Sequence, residues 1–384
     1  MNTFGATIGG PVVIPKLHNG KNRTFFFFSY EGSREGNGQS TTSSVPTAKM
    51  RQGDFSEIPN AIYEPYSVQL INGVATRTPI PNKIIPSPLQ DPVAKNMMKY
   101  WPEPNNPNVA AATPWVQSFV QGSKWPTTSD GYVVKIDHQL TAKHQTYARF
   151  NTGGAFFNFN YDFDGLATPG RNVVNRPFKG VAINDTYTIN PSTTLDTRIG
   201  YAFGKEQQRP YSYGFDLASL GFAQQFPNLV QYKAFPTIGV SGFQGLAGSG
   251  YQDKPGYTYT AQSSVSMQRG RHLFKTGGEV RQMRLNQLAN GSPSGSFSFA
   301  QASTGGPNAT ATATGTGFSM ASFLMGWPSG GSIAYANGVS VLSTYYGFYF
   351  QDDSRVSKKL TLNMGIRYGN RSAPLYGWRS ERAV

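Results

Sequence analysis

The stretch that decides the fold is "FYFQDDSRVSKKLTLNMGIRY", residues 348–368. After its basic turn, Leu362, Met364 and Ile366 alternate with polar or small residues, and the aromatic residues before the turn alternate in the same way. A period of two residues is typical of a strand with one apolar face and one polar face. The stretch therefore predicts two antiparallel strands joined by a short turn, with an apolar face that contacts either a protein core or lipid.

The composition of the chain favours strands and long loops. Of its 384 residues only 14% are charged, while 14% are aromatic and Gly (43) and Pro (26) are abundant. Ordinary soluble domains contain about 25% charged residues. The chain has no cysteine, which excludes disulfides, thiolate metal sites and a Cys nucleophile. No apolar run reaches the roughly 18 residues that a transmembrane helix requires.

The same alternation recurs along the chain, most clearly in "YTYTAQSSVSMQ", residues 257–268. It predicts ten strands, at about 4–13, 23–31, 131–139, 145–151, 179–189, 194–204, 257–267, 271–283, 343–352 and 359–369. A membrane-crossing strand needs about 9 to 11 residues, and most of these stretches have that length. Aromatic residues near strand ends, at 25–28, 345, 346 and 350, predict interfacial girdles.

The connections alternate between short and long. Short turns separate alternate pairs of strands, and long loops are predicted at about 32–130, 152–178, 205–256 and 284–342. This rhythm is typical of outer-membrane barrels, in which periplasmic turns are short and extracellular loops are long. The predicted fold is therefore all-β, a partial antiparallel up-and-down transmembrane β-barrel of about ten strands. Within the first long loop, residues 87–101 have helical apolar spacing, and Pro102 would end that helix.

The formal net charge of +14 raises the possibility of nucleic-acid binding. The basic residues are dispersed, however, and no recognition motif is present, so no nucleic-acid partner is expected. The alternative interpretation is that these residues lie on turns, loops and a hydrated interior, where they face anionic lipid head groups or solutes. Outer-membrane lipids are accordingly the expected partners.

Several stretches resemble the large Oar-like TonB-dependent outer-membrane receptors that are abundant in Acidobacteria. "FGATIGGPVVIPKLHNGKNRTFFFFSYEG" (4–32) resembles their opening barrel strands, and "TPIPNKIIPSPLQDPVAKNMMKYWPEPN" (78–105) is similar to one of their loop elements. The other similar stretches are "VPTAKMRQGDFS" (45–56), "YVVKIDHQLTAKHQTYARF" (132–150), "GRHLFKTGGEVRQ" (270–282) and "YYGFYFQDDSRVSKKLTLNMGIRY" (345–368). The resemblance spans most of the chain and follows the order of the turns.

The resemblance implies a non-enzymatic receptor in the outer membrane of a Gram-negative bacterium. Such receptors have an N-terminal domain, a plug and a barrel of about 22 strands, and they take up a solute with energy delivered by TonB. The solute would be an oligosaccharide, a peptide or a chelate. Residues 1–384 are expected to be a partial barrel domain without plug or N-terminal domain, so TonB would act only through parts outside this chain. Residues 371–384 are interpreted as a loop.

No catalytic, metal or cofactor site is predicted. The histidines 18, 138, 144 and 272 show no ligand spacing. "YDFDG" (161–165) begins like a calcium loop but lacks the remaining ligands. The adjacent Asp352 and Asp353 are interpreted as charge pairs near a turn, because acid–base catalysis requires a pocket and two separated pKa values.

The candidate functional residues are charged side chains within strands and aromatic side chains in loops. The candidates for the lumen wall are Lys135, Asp196, Arg198 and Arg367, with Arg149 and Arg281 as further mid-strand charges. The alternative is that these charges only form lateral ion pairs. The candidates for solute contacts in the loops are Trp101, Trp115, Trp125, Tyr211 and Tyr213. The alternative for them is packing among the loops.

Two functions fit these patterns. The first is a segment of an outer-membrane receptor or transporter barrel, which binds a solute with its long loops and passes it through a polar lumen. The second is a surface or soluble β-rich protein, such as an adhesin or a glycan-binding sandwich. An enzyme is the weakest hypothesis, because no nucleophile, phosphate-binding or dinucleotide motif occurs.

Overall fold

The main element of the computed structural model, which describes residues 1–159, 162–311 and 313–379, is an antiparallel sheet of eleven strands. These strands are β1 (Asn2–Pro11), β2 (Thr24–Ser43), β3 (Phe119–Thr141), β4 (His144–Asn158), β5 (Asn172–Asn190), β6 (Thr193–Pro210), β7 (Tyr251–Arg269), β8 (His272–Asn290), β9 (Gly338–Arg355), β10 (Thr361–Arg371) and β11 (Leu375–Arg379).

The strands follow one another in chain order across the sheet. From β1 to β10 each strand pairs with the next strand of the chain, which confirms the predicted up-and-down topology. β11 pairs with residues 338–342 of β9, beyond the part of β9 that pairs with β10. The prediction of a loop over residues 371–384 is therefore wrong for 375–379, while 380–384 lie outside the described residues. Among the described residues no pairing joins β1 to β10, so the sheet has two edges.

The two ends of the sheet differ in their connections. At one end β3–β4, β5–β6 and β7–β8 are joined by two residues each, and the last of these turns places Gly270 at a φ of 61°, where glycine has no steric penalty. At the other end lie the long connections. The strands extend further into them than alternation predicts: β2 and β3 remain paired as far as Ser43 and Phe119.

The register places large apolar residues in continuous rows on one side of the sheet, here called the apolar face. Residues that lie directly opposite in an antiparallel sheet share a face. One row crosses eight strands and consists of Phe26, Ile136, Ala148, Ile183, Ile199, Ala261, Val280 and Tyr346. Ile183 and Ile199 are 47% and 58% exposed, so no described part of the protein covers the face at these positions. The apolar residues of β9 and β10 in the opening stretch lie on it too, with Phe350 opposite Ile366.

Aromatic pairs border the apolar face at both ends. Towards the long loops Tyr201 contacts Tyr259 with ring centroids 5.2 Å apart, and Tyr30 stacks on Tyr132 at 5.0 Å. Towards the short turns Phe274 stacks on Phe350 at 5.9 Å. These pairs form the two girdles expected at membrane interfaces. Of the aromatics predicted for the girdles, Phe25, Phe27 and Tyr345 lie on the opposite, polar face, because they alternate with the apolar row.

The band between the girdles has the height of a bilayer core. On β7 the girdle towards the long loops extends from Tyr259 to Tyr257, whose ring contacts Phe203, and Met267, directly opposite Phe274, marks the other girdle. Tyr257 and Met267 are ten residues apart, which is about 33 Å along a strand. A tilt of about 45° reduces this to about 23 Å, close to the apolar band of about 25 Å in outer-membrane barrels. The band contains a carboxylate at Asp185, in the row of Thr197 and Ser263, and that side chain contacts His144 with Oδ1 2.6 Å from Nε2.

The long connections carry the four helices found among the described residues and several short strands. The helices are α1 (Ala48–Arg51), α2 (Pro92–Met98), α3 (Gln225–Leu229) and α4 (Ser319–Leu324), with 3-10 turns at Pro81–Lys83, Ser87–Leu89, Leu217–Leu220 and Gln301–Thr304. A small sheet combines Thr237–Val240, Ser296–Phe299 and Gly330–Ser332, and a hairpin pairs Gln69–Ile71 with Val74–Thr76. A second hairpin, of Val13–Ile14 with His18–Asn19, lies at the opposite end of the sheet, in the connection between β1 and β2. The helix predicted at residues 87–101 is shorter and spans only Pro92–Met98. It begins after Asp91, whose side chain caps it by accepting a hydrogen bond from the backbone N–H of Ala94. Among the described residues, no helix is long and apolar enough to span a membrane.

The buried hydrophobic core of the protein lies among these connections, not under the sheet. Phe55, Met320 and Leu324 are fully buried there, and Phe323 is 1% exposed. The cluster that contains them is built from residues between 45 and 119, 163 and 247, and 299 and 325. We call this cluster the loop core. The sheet thus exposes its apolar side chains while the loops bury theirs, which is the reverse of a soluble sandwich.

We predict that Ile199→Arg prevents stable insertion of the sheet. Arginine on a lipid-facing position costs about 2–4 kcal/mol near the bilayer midplane, whereas a soluble protein would tolerate a charge at a position that is 58% exposed. The measurement is the fraction of heat-modifiable, detergent-extracted protein in the membrane. The matched control is Ser264→Arg on the polar face of the same strand pair, where Asp196 lies directly opposite. Equal amounts of folded protein for both variants would contradict a lipid-facing apolar face.

Candidate functional site

The polar face of the sheet collects the charged residues that the sequence places within strands. Lys135 lies one residue from Ile136, Arg198 one residue from Ile199, and Arg281 one residue from Val280, so each is on the face opposite to the apolar row. The same alternation places Arg149, Asp196 and Arg367 on this face of their strands. The register thus gathers the candidates Lys135, Asp196, Arg198 and Arg367 on one wall. A role for them in solute passage stays a prediction.

Four cations on this wall share a single row, which we call the cationic belt. It contains Lys135, Arg149, Arg281 and Arg371. Lys135 lies directly opposite Arg149, and the row continues through Ala182, Gly200, Thr260, Arg281, Tyr345 and Arg371. No carboxylate occurs at these positions. Like charges directly opposite each other repel, so the belt favours the presence of an anion.

The belt is only partly neutralised by the next row of the polar face. Nζ of Lys135 lies 2.7 Å from Oδ1 of Asp137 and 4.7 Å from the centre of the Tyr147 ring. Glu279 is 3.5 Å from the guanidinium of Arg281. Arg149 is exposed and has no ion pair or hydrogen bond among the described residues. The belt therefore keeps positive charge that the carboxylates of the neighbouring row do not cancel.

The other charged candidates are held in lateral contacts. Arg198 Nε donates to Asn184 Oδ1 at 3.0 Å, and the amide of Asn184 donates to Asp196 at 3.1 Å. Arg367 donates to Glu279 at 3.4 Å and to the Tyr345 hydroxyl at 3.3 Å. These contacts fix the side chains against the wall and favour the alternative of lateral pairing for these two arginines.

Two of the candidate loop aromatics are buried in the loop core. Trp101 is 2% exposed, contacts Phe323 with ring centroids 5.2 Å apart, and donates its Nε1–H to the carbonyl of Gln244 at 2.6 Å. Trp115 is 8% exposed and contacts Phe318 at 5.3 Å. Both tryptophans therefore contribute to packing and offer little surface to a solute. Trp125 lies within β3 opposite Asn37, not in a loop.

The remaining two candidates are half exposed at the long-loop end. Tyr211 (39% exposed) lies under Arg171, with the guanidinium carbon 3.7 Å from the ring centre. Tyr213 (42% exposed) stacks on Tyr251 at 5.7 Å, and Tyr251 stacks on Tyr232 at 4.3 Å. Sequence reasoning missed Tyr232 and Tyr251 because their partners come from different connections and no local spacing links them.

Tyr251 lies on the extension of β7 beyond the bilayer band. Burial, followed by the charge of Asp253, raises its pKa to about 12. Its hydroxyl therefore stays neutral throughout the physiological range. The exposed ring surface belongs to Tyr211 and Tyr213, whereas Tyr251 is buried. A solute can therefore reach the rings of Tyr211 and Tyr213.

The histidines and the paired carboxylates lie near the short turns. His272 contacts Asp352, with Nδ1 2.8 Å from Oδ2, and Asp353 faces Lys275 at 3.8 Å. His138 shares a hydrogen bond with Thr24 at 2.8 Å. Of the sequence that begins like a calcium loop, Tyr161 lies outside the described residues. No group of three or more His, Asp or Glu among the described residues is arranged to hold a metal ion.

Comparisons with known proteins agree with this architecture. The profile of the family described as "Outer membrane beta barrel domain" matches residues 1–378. A search of curated proteins found no match. Among solved structures, the chain is similar to the outer membrane transporter YddB from Escherichia coli, with a TM-score of 0.50 and 9% identity over 97% of this chain. It spans 34% of the length of that transporter.

Two further solved structures show weaker similarity. The ferric preacinetobactin receptor BauA from Acinetobacter baumannii gives a TM-score of 0.32 at 8% identity, covering 96% of this chain and 54% of the receptor. The ferric-catecholate import receptor Fiu from E. coli K12 gives a TM-score of 0.27 at 10% identity, covering 94% and 56%.

We predict that Trp101→Ala loosens the loop core and leaves the sheet in the membrane. Truncation of a buried Trp costs about 3–5 kcal/mol, and here it also leaves the carbonyl of Gln244 without its donor. The measurement is proteolysis of the loops on intact cells, together with heat-modifiable mobility of the sheet. Trp327→Ala, at a position that is 37% exposed, is the matched control. If both variants resist the protease equally, the loop core is not a cooperative unit around Trp101.

Proposed function

Because this chain belongs to the family of outer membrane beta barrel domains, we propose that it forms part of the wall of a TonB-dependent receptor of the Oar-like type. In this proposal the loops at the cell surface capture a solute, and the polar face of the sheet lines the passage that the solute follows. The strand order, the exposed apolar face and the aromatic girdles support a barrel wall in lipid. The TonB dependence rests on the resemblance of the sequence to Oar-like receptors.

The cationic belt is the observation that points to the solute. A hydrated lumen lets a charged side chain act on a passing solute, and a wall with one predominant sign raises the local concentration of the opposite charge. Arg149 is exposed and unpaired among the described residues, and Lys135 lies opposite it. Of the solute classes considered, the belt favours the anionic members: acidic oligosaccharides, acidic peptides and anionic metal chelates.

We predict that anions stabilise the detergent-purified protein through the belt. A ligand that binds only the folded state raises its stability by RT ln(1 + [L]/Kd). Citrate, ferric citrate and pyrophosphate should therefore raise the melting temperature, whereas neutral maltotriose should not. The double variant Arg149→Gln, Arg281→Gln should lose this shift.

The control for the belt experiment is Lys21→Gln, which removes one exposed cation from a short turn and should keep the shift. An equal shift with maltotriose, or an unchanged shift in the double variant, would show that the belt does not select anions. Since the experiment uses binding and not uptake, its outcome does not depend on TonB.

The energy coupling leads to a separate prediction. In cells that carry the protein with all its parts, removal of TonB should abolish accumulation of a labelled anionic solute inside the cell and leave surface binding unchanged. The reason is that capture by the loops needs no energy, whereas passage in this receptor class does. Equal accumulation with and without TonB would contradict the TonB-dependent class and would leave the barrel assignment intact.

A further inference from the structure

A second pair of cations lies on the apolar face, at the level of the girdle nearest the long loops. The register places Lys179, Phe203, Tyr257, Arg284 and Leu342 in one row. Each of them lies four residues along its strand from a member of the apolar row and therefore on the same face. Both cations thus point away from the polar wall. The row lies just beyond the pair of Tyr201 and Tyr259, at the height where an outer-membrane barrel meets the head groups of the outer leaflet.

These two cations differ from Arg34 and Lys205, which also lie on the outward side of the sheet. Arg34 is paired with Asp130 at 2.8 Å, and Lys205 is paired with Asp253 at 2.9 Å. Lys179 and Arg284 are both exposed, and neither has an ion pair or a hydrogen bond within the described part of the chain. Their charge is therefore available to a group outside the protein.

Arg284 lines a cavity of about 690 Å³ on this side of the sheet. Its lining includes the rings of Tyr257 and Tyr259 and the amides of Gln282 and Asn286. Ser340 donates to Oδ1 of Asn286 at 2.7 Å, which leaves the Asn286 amide N–H groups free to donate outward. A cation, amide donors and phenol rings in one cavity suit a phosphorylated sugar, because phosphate accepts charge-assisted hydrogen bonds and sugar rings pack on aromatic faces.

The distance between the two cations also fits an extended anionic head group. Lys179 and Arg284 are three strands apart in the same row, which is about 14 Å at a strand spacing of about 4.8 Å. Phe203 and Tyr257 lie between them, with ring centroids 5.3 Å apart. A single phosphate cannot contact both cations, whereas a glycolipid with phosphates at both ends of its sugar unit can.

We propose that Lys179 and Arg284 bind the phosphates of a phosphorylated glycolipid of the outer leaflet, whose sugars lie on the aromatic rings between them. This site is on the lipid side of the sheet and is independent of any solute in the lumen. It would fix the height and rotation of the sheet in the membrane, because the two cations lie on strands that are not adjacent.

The test uses the full chain purified in detergent and four probes: diphosphorylated lipid A, its dephosphorylated form, a zwitterionic phospholipid and inorganic phosphate. We expect diphosphorylated lipid A alone to raise the melting temperature of the wild type. The variant Lys179→Gln, Arg284→Gln should bind it at least tenfold more weakly, while Lys179→Arg, Arg284→Lys should retain binding. The control Arg269→Gln removes an exposed outward cation at the opposite end of β7 and should behave as wild type.

Several outcomes would overturn the proposal. Equal stabilisation of the wild type by the dephosphorylated lipid, or by inorganic phosphate at the same concentration, would show that no phosphorylated glycolipid is recognised. Equal lipid A binding by the double glutamine variant would show that other residues bind it. Since the wild-type comparison alone can overturn the proposal, the test does not depend on whether the glutamine variant folds.

Discussion

Backbone pairing between neighbouring strands is the constraint on which the rest of the structure depends. In hydrocarbon an unpaired N–H or C=O group costs several kcal/mol, so each crossing strand must stay paired on both sides. The registers from β2 to β9 are continuous across the bilayer band. Because the side chains alternate, a shift by one residue would move Arg198 to the position of Ile199 in lipid. Pairing therefore also decides which residues form the polar wall.

The protein places its apolar residues according to two different surroundings. In the bilayer band the lipid covers the side chains, so Ile199 and Ile366 are exposed within the protein itself at 58% and 73%. Above the band the loops meet water, so Phe55 and Phe323 are buried at 0% and 1%. The hydrophobic effect thus builds a small packed domain from the long connections, whereas the sheet depends on lipid for the same stabilisation.

Alternation predicts the strands inside the band because lipid on one side and water on the other impose a period of two. It fails beyond the band, where both faces meet water: residues 33–43 are strand but rich in Gly, Ser and Thr. The short helix α2 is predictable from its own spacing and from Asp91. The contact of Trp101 with Phe323 has no local signal, since the two residues come from different connections.

The positions of the charges follow the same reasoning on both faces. Alternation in the sequence is enough to assign Lys135 and Arg198 to the polar side. The cationic belt, in contrast, can be recognised only from the pairing register of the strands, because Arg149 and Arg281 lie on strands that are not neighbours. The belt lies on the polar face of the crossing strands, where a hydrated lumen tolerates a charge. On the outward face Lys179 and Arg284, which have no ion pair within the described part of the chain, lie at girdle level, where head groups replace acyl chains. The height of a charge along the strands is therefore as informative as the face on which it lies, and together they separate a solute-facing cation from a lipid-facing one.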